Sequence, residues 1–275
     1  MKKLLALILA LTLALGTVAC GNSAPANDGA AGVSGDTAVP AAEGMQETPD
    51  MVLRLSEDQS PDFPTTQGCQ KFADLVYERT NGRIKIEVYD SGTLGGTTAV
   101  AEQLQYGAID LLRGGAAPLA QFSPTLNVFS LPFLFTSAEE ANEVLNSTDI
   151  GEQIFADFGD YDLVYLAEGD NGMRHVSTVK SWGQIEKADD VIGLKIRVPQ
   201  SQMYTDCWST LGATPVALAL TELTTALSNG TAQAQDNATY HEVANATWDD
   251  IGYFSFINYM WMGCTMAANK TAWGK

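Results

Sequence analysis

The apolar stretch 51–55 reads as a first strand, and apolar and polar residues alternate at a period of two over 84–89 and 194–198, which predicts half-buried strands. Between the first two, a helix is predicted from about residue 65. Phe72, Leu75 and Val76 fall at i, i+3, i+4 spacing, and Asn81-Gly82 supplies the stop. Strand, helix, strand is the unit of a parallel sheet. Residues 91–96 form a glycine-rich turn that lacks both the dinucleotide fingerprint and the Lys-Ser/Thr of a phosphate loop, so it reads as a connection. A second helix follows over 97–107 and a third strand over 109–112. The small residues Gly114 to Ala117 come next and let backbone approach a neighbour closely.

The apolar run 130–135 is broken by Pro132 and reads as core or as a crossing between domains. Residues 137–145 have helix character and 162–166 strand character, and 170–176 is a polar turn carrying Arg174. After a connection at 182–190 comes the strand 194–198, closed by Pro199, which cannot donate to a ladder. Arg197 then stands near the carboxyl end of that strand, where α/β folds form their ligand crevice. Its planar fork matches a carboxylate with two parallel hydrogen bonds. Taken alone, one arginine reads more readily as a solvated or salt-bridged residue.

Helices are predicted over 201–211 and 222–228, with a strand at 215–218 between them. In the polar stretch 233–237, Asn237 offers an amide to a ligand or, more plainly, serves a turn. Residues 253–256 and 259–267 are aromatic-rich, and the second reads as a buried strand leading back to the first domain.

At the N-terminus, Lys2-Lys3 and the apolar run 4–15 make a secretory signal, too short to span a membrane. Thr17-Val18-Ala19-Cys20 is similar to a bacterial lipobox, which predicts a signal peptide over 1–19 and a lipidated Cys20. Residues 20–48 are poor in large apolar side chains and read as a flexible tether. The full chain of 275 residues carries a net charge of −18. Loss of Lys2 and Lys3 with the signal leaves 13 basic residues against 33 acidic, a net charge of −20. That balance argues against nucleic acid or an anionic membrane surface as partner.

Cys69, Cys207 and Cys264 are odd in number and widely spaced, with no disulfide framework or metal-ligand spacing. The two histidines, His175 and His241, are too few for a histidine-rich metal site. No Gly-x-Ser-x-Gly elbow occurs. No cofactor is expected, and an extracytoplasmic hydrolase is the weaker alternative to a binding protein.

Eight short motifs then occur in one order. They are Gly-Arg-Ile-Lys-Ile at 82–86, Leu-Gly at 94–95, Gly-Ala-Ile-Asp at 107–110 and Leu-Pro-Phe-Leu-Phe at 131–135. After them come Asn-Gly-Met-Arg at 171–174, Gly-Leu-Lys-Ile-Arg-Val-Pro at 193–199, Thr-Glu-Leu-Thr-Thr-Ala-Leu at 221–227 and Gln-Asp-Asn at 235–237. From about residue 53 to 273 the chain resembles the dicarboxylate-type solute-binding proteins of tripartite ATP-independent periplasmic (TRAP) transporters.

The resemblance implies a two-lobed α/β fold of the periplasmic-binding-protein type, with a ligand cleft, crossing strands and a long hinge helix. Lobe I would comprise 49–171 plus 262–275, and lobe II 172–261. Arg197 would pair with the carboxylate of a small organic acid. Arg174 would be a second cationic contact, Asn237 a polar one and Leu220 an apolar one, with Asn171 and Gln59 (loop 57–60) also at the ligand. The partners implied are the TRAP membrane subunits, with the membrane reached through the lipid anchor. A receptor feeding a membrane sensor is the alternative. Where the family commonly has Gly-Gln-Glu-Asn, this chain has Ala234-Gln235-Asp236-Asn237. Family members continue with helices past the position of Trp273, so the resemblance implies a C-terminally truncated chain.

Overall fold

The computed structural model describes residues 46–146, 149–244 and 247–274. The signal, Cys20 and all but the last three residues of the tether lie outside the described residues.

Strands β1 (Met51–Glu57) and β2 (Ile84–Tyr89) pair in parallel, joined through the helix α1 (Pro64–Arg79). Pro64 opens α1 at a position whose amide would have no helical partner in any case. Asn81 and Gly82 end the segment in the left-handed region, at φ of 53° and 80°, and the Gly82 amide donates to the Tyr77 carbonyl at 2.8 Å. The face of α1 turned to the sheet centres on the small buried residues Cys69 and Ala73, flanked by Phe72 and Val76. Small side chains at the contact let the helix pack closely over Leu53, Leu55 and Ile86.

After α2 (Thr97–Gln105) comes β3 (Leu111–Gly115), which pairs with the other edge of β1. It starts two residues later than the pattern 109–112 predicts and therefore includes Arg113. Gly114 is needed here, because a Cβ on it would stand 2.5 Å from the Thr97 side chain.

The largest departure from the sequence pattern concerns two long strands. Residues Leu163–Val179 form one strand, β4, and Ile251–Asn269 form another, β8, lying antiparallel along it. The polar turn expected at 170–176 is part of β4. Register shifts interrupt the β4–β8 ladder between Asp170 and Met173 and again between Arg174 and Val176. Each shift resets which face a side chain points to, so a strict period of two is lost over that stretch.

Strands β5 (Lys195–Val198), β6 (Thr214–Ala217) and β7 (Ala234–Asn237) complete one mixed eight-stranded sheet in the order β2-β1-β3-β8-β4-β7-β5-β6. The long pair β4 and β8 stands in the middle and runs from one half of the sheet to the other. Apolar side chains gather separately on the two sides. Leu104, Phe129, Phe158 and Trp261 belong to one cluster, and Ile196, Val198, Tyr204, Trp208 and Met260 to another. This is the α/β architecture with crossing strands that the resemblance implies, although a long hinge helix is not among the described residues.

The apolar run 130–135 is not core throughout. Leu126 and Phe129 of the 3₁₀ turn Pro124–Ser130 are buried, whereas Phe133 beyond Pro132 is 70% exposed. Among the described residues no helix is long and apolar enough to cross a membrane.

Candidate functional site

A cleft opens where the two halves of the sheet meet. Gln59, Asn171, Arg174, Arg197, Leu220 and Asn237 all line it, so the structure gathers every body residue that the sequence singled out for the ligand. They come from a loop after β1, from β4, β5 and β7, and from the 3₁₀ turn Leu220–Glu222. Gly115, Ala116 and Ala117 also line it, which explains the small residues there.

Arg197 sits on β5, between β6 and β7, and is 3% exposed. Its Nε and Nη2 both donate to the Leu218 carbonyl, at 3.0 and 2.7 Å. That clamp fixes the guanidinium plane, and no carboxylate among the described residues lies within salt-bridge distance of it. Burial strips the cation of water and pulls its pKa down to about 10. The acids Asp236 and Asp58 act in the opposite sense, and Arg174 adds to the depression. A buried cation without a counter-ion is costly, and an anion brought to it would lower that cost.

Arg174 lines the same cleft in a different electrostatic state. The β4–β7 register sets Asp236 opposite Val176, close to Arg174 along β4, and the two side chains meet. Arg174 donates from Nε to Asp236 Oδ2 at 3.2 Å and from Nη2 to Oδ1 at 3.0 Å. The Tyr259 hydroxyl donates to the same carboxylate, and the Tyr204 ring lies 4.9 Å from the guanidinium carbon. Burial works against this cation, yet the Asp236 carboxylate together with Tyr204 and Tyr259 more than offsets it and holds the Arg174 pKa above its ordinary value. Its charge is answered within the protein, which separates its role from that of Arg197.

Asn237 is buried and ends a chain of oriented amides. Gln235 Nε2 donates to Glu242 Oε1 at 2.6 Å, and Asn237 Nδ2 donates to Gln235 Oε1 at 2.6 Å. This leaves Asn237 with Oδ1 and one Nδ2 hydrogen for the cleft. Asn171 lies at the register shift of β4, where Gly172 takes φ 89° and its amide donates to Asp170 Oδ1 at 2.8 Å. Its Oδ1 accepts from Arg113 Nη2 at 2.5 Å, and Arg113 Nη1 donates to Glu57 Oε1 at 3.1 Å.

Other lining residues were missed from the sequence, among them Thr97, Tyr204, His241 and Trp261, and Asp58 was included only as part of the loop 57–60. Asp236 was noted only as a shortened acid beside Asn237. Arg113 was lost because the third strand was placed two residues early. Burial and the charges of Arg174, Arg113 and Arg197 hold the His241 pKa far below the usual histidine range. It therefore brings a neutral ring to the cleft.

A cleft between the halves of an α/β sheet, bridged by two crossing strands and holding a buried arginine, is the arrangement of a solute-binding protein. Residues 55–275 match the DctP family, described as bacterial extracellular solute-binding protein, family 7, and the chain belongs to that family. The C4-dicarboxylate-binding protein DctB of Bacillus subtilis is 28% identical over 84% of this chain and 65% of its own length.

Among solved structures, a TRAP periplasmic solute-binding protein from Polaromonas sp. JS666 bound to D-erythronate is similar, with a TM-score of 0.78 and 28% identity. The match covers 82% of this chain and 73% of that one. The sugar acid binding protein DctPAm from Advenella mimigardefordensis in complex with galactonate gives a TM-score of 0.79 and 27% identity, over 83% and 72% of the two chains. The chain spans 38% of the first curated relative it matches and 61% of the second.

Proposed function

We propose that this chain is the extracytoplasmic binding component of a TRAP transporter, which captures a small organic acid and hands it to the membrane permease subunits. The observation that carries the reading is Arg197, buried, clamped by the Leu218 carbonyl and without an acidic partner within salt-bridge distance among the described residues. The carboxylate of the ligand takes the place of the missing counter-ion, and the desolvated charge-assisted bonds give the affinity. Asn237, Asn171 and Gln59 orient the rest of the molecule, and Leu220 packs against it. In this reading Arg174, already paired with Asp236, shapes the cleft and adds positive potential without being the primary clamp. The matched family is one of solute-binding proteins, which supports a binding role and no catalysis.

Residues 49–171 with 262–275 act as one lobe and 172–261 as the other. A ligand that touches both favours the closed form by its higher affinity for it. The N-terminal signal 1–19 exports the chain, and a lipid on Cys20 with the tether 20–48 holds the body at the outer face of the membrane. A thermal-shift screen against a panel of small organic acids tests the binding reading. An acid present at a hundred times its dissociation constant stabilises the body by about 2.7 kcal/mol. A cooperative melt that no organic acid moves contradicts it.

A further inference from the structure

The charges around the cleft allow a narrower statement about its ligand, which rests on the organic-acid reading above. Two cations and one acid stand in the lining: Arg174, Arg197 and Asp58. The charge of Arg174 is answered by Asp236 at 3.0 Å, and behind the lining that of Arg113 is answered by Glu57 at 3.1 Å. What remains is one cation and one acid, each without an oppositely charged partner within salt-bridge distance among the described residues. The cation is Arg197. The acid is Asp58, held in place by Gln59 Nε2, which donates to Oδ1 at 2.9 Å, and by the Thr97 hydroxyl, which donates to Oδ2 at 2.8 Å.

A carboxylate on Arg197 uses the single unanswered cation. A second carboxylate in the same molecule would find no other free cation in the lining, whose one acid is Asp58. Like charges brought together in a desolvated site are a strong ground for rejection. A hydroxyl-bearing chain meets the opposite conditions. The Asp58 oxygens keep lone pairs that accept from hydroxyls. Three enclosed polar atoms of the lining, Gln59 Oε1, Thr98 Oγ1 and Ser130 Oγ, have no hydrogen-bond partner among the described residues. Enclosed polar atoms are normally paired, and a hydroxyl, which both donates and accepts, is the group suited to such atoms.

We propose that the cleft selects a polyhydroxylated acid with one carboxylate over dicarboxylates, and that Asp58 is the residue that discriminates between them. Calorimetric titration of the full chain tests this with C4 to C6 aldonates and uronates on one side, and succinate, malate, D-glucarate and galactarate on the other. The glucarate–gluconate pair isolates the second carboxylate, because the two share the hydroxyls at C2 to C5 and differ only at C6, where a carboxylate replaces the primary hydroxyl. The best one-carboxylate acid is expected to bind at least about tenfold more tightly than any dicarboxylate, and Asp58→Asn to shrink that ratio by about tenfold.

A dicarboxylate that binds as tightly as the best aldonate or uronate overturns the selectivity claim while leaving the organic-acid reading intact. An unchanged ratio in a cooperatively folded Asp58→Asn protein overturns the role of Asp58. Because the first comparison uses the unaltered chain, it stands even if the variant does not fold. Failure of every acid in both groups to bind overturns the organic-acid reading and this inference with it.

Discussion

Arg174 and Arg197 share one cleft and one sign of charge, and their neighbours decide what each can do. Arg174 is enclosed with the carboxylate it needs, so it behaves as part of the frame. Removing one member of a buried ion pair leaves the other uncompensated, at a cost of about 3–5 kcal/mol. Asp236→Asn is therefore expected to lower the free energy of unfolding by about that amount, measured by urea denaturation. A variant as stable as the parent would show that Arg174 does not depend on Asp236. Arg197 was legible in the sequence because an alternating strand and a closing proline locate it at a strand end. The partner of Arg174 was not. Asp236 lies 62 residues further on, and the two meet only through the β4–β7 register.

The crossing strands β4 and β8 explain both the position of the cleft and the limits of pattern reading. A strand whose register shifts twice in a few residues loses its alternation, so 170–176 looked like a turn although it continues the ladder. The same irregularity lets Asn171 reach the cleft, where Arg113 fixes its amide. Glu168 sits further along β4, and its Oε2 accepts from the Thr265 hydroxyl on β8 at 2.7 Å. Oε1 is enclosed against Gly263, where a Cβ would come within 2.5 Å of it. Burial pushes the Glu168 pKa up to about 8, against the opposing effects of Thr265 and Arg113.

The sign of the linkage follows. Between the unfolded value of 4.5 and about 8, the folded chain holds a proton on Glu168 that the unfolded chain has lost. This contribution to stability is therefore present at low pH and falls by about 1.4 kcal/mol per pH unit as pH rises through that window. The melting temperature of the body should drop from pH 5 to pH 8, and Glu168→Gln, which carries no titrating proton, should flatten the drop. An unchanged pH slope in the variant would remove Glu168 from the explanation.

At the scale of the whole molecule, most of the α/β alternation could be read from periodicity, and the family order of motifs supplied the cleft. The continuity of the sheet through two long central strands could not be read locally, because it depends on pairing between segments about a hundred residues apart in sequence, as for Val164 and Ala268. For a chain of net charge −18 to bind an anion, positive potential must be concentrated locally, and the proposed function puts that place at Arg197.

The most direct test of the account is the dissociation constant of the tightest organic acid for the parent chain and for Arg197→Lys, measured side by side by calorimetry. Lysine keeps the charge but cannot hold the Leu218 carbonyl and a carboxylate with one planar fork, so affinity should fall at least about tenfold. Unchanged affinity in a folded Arg197→Lys protein would contradict the assignment of this arginine as the carboxylate clamp.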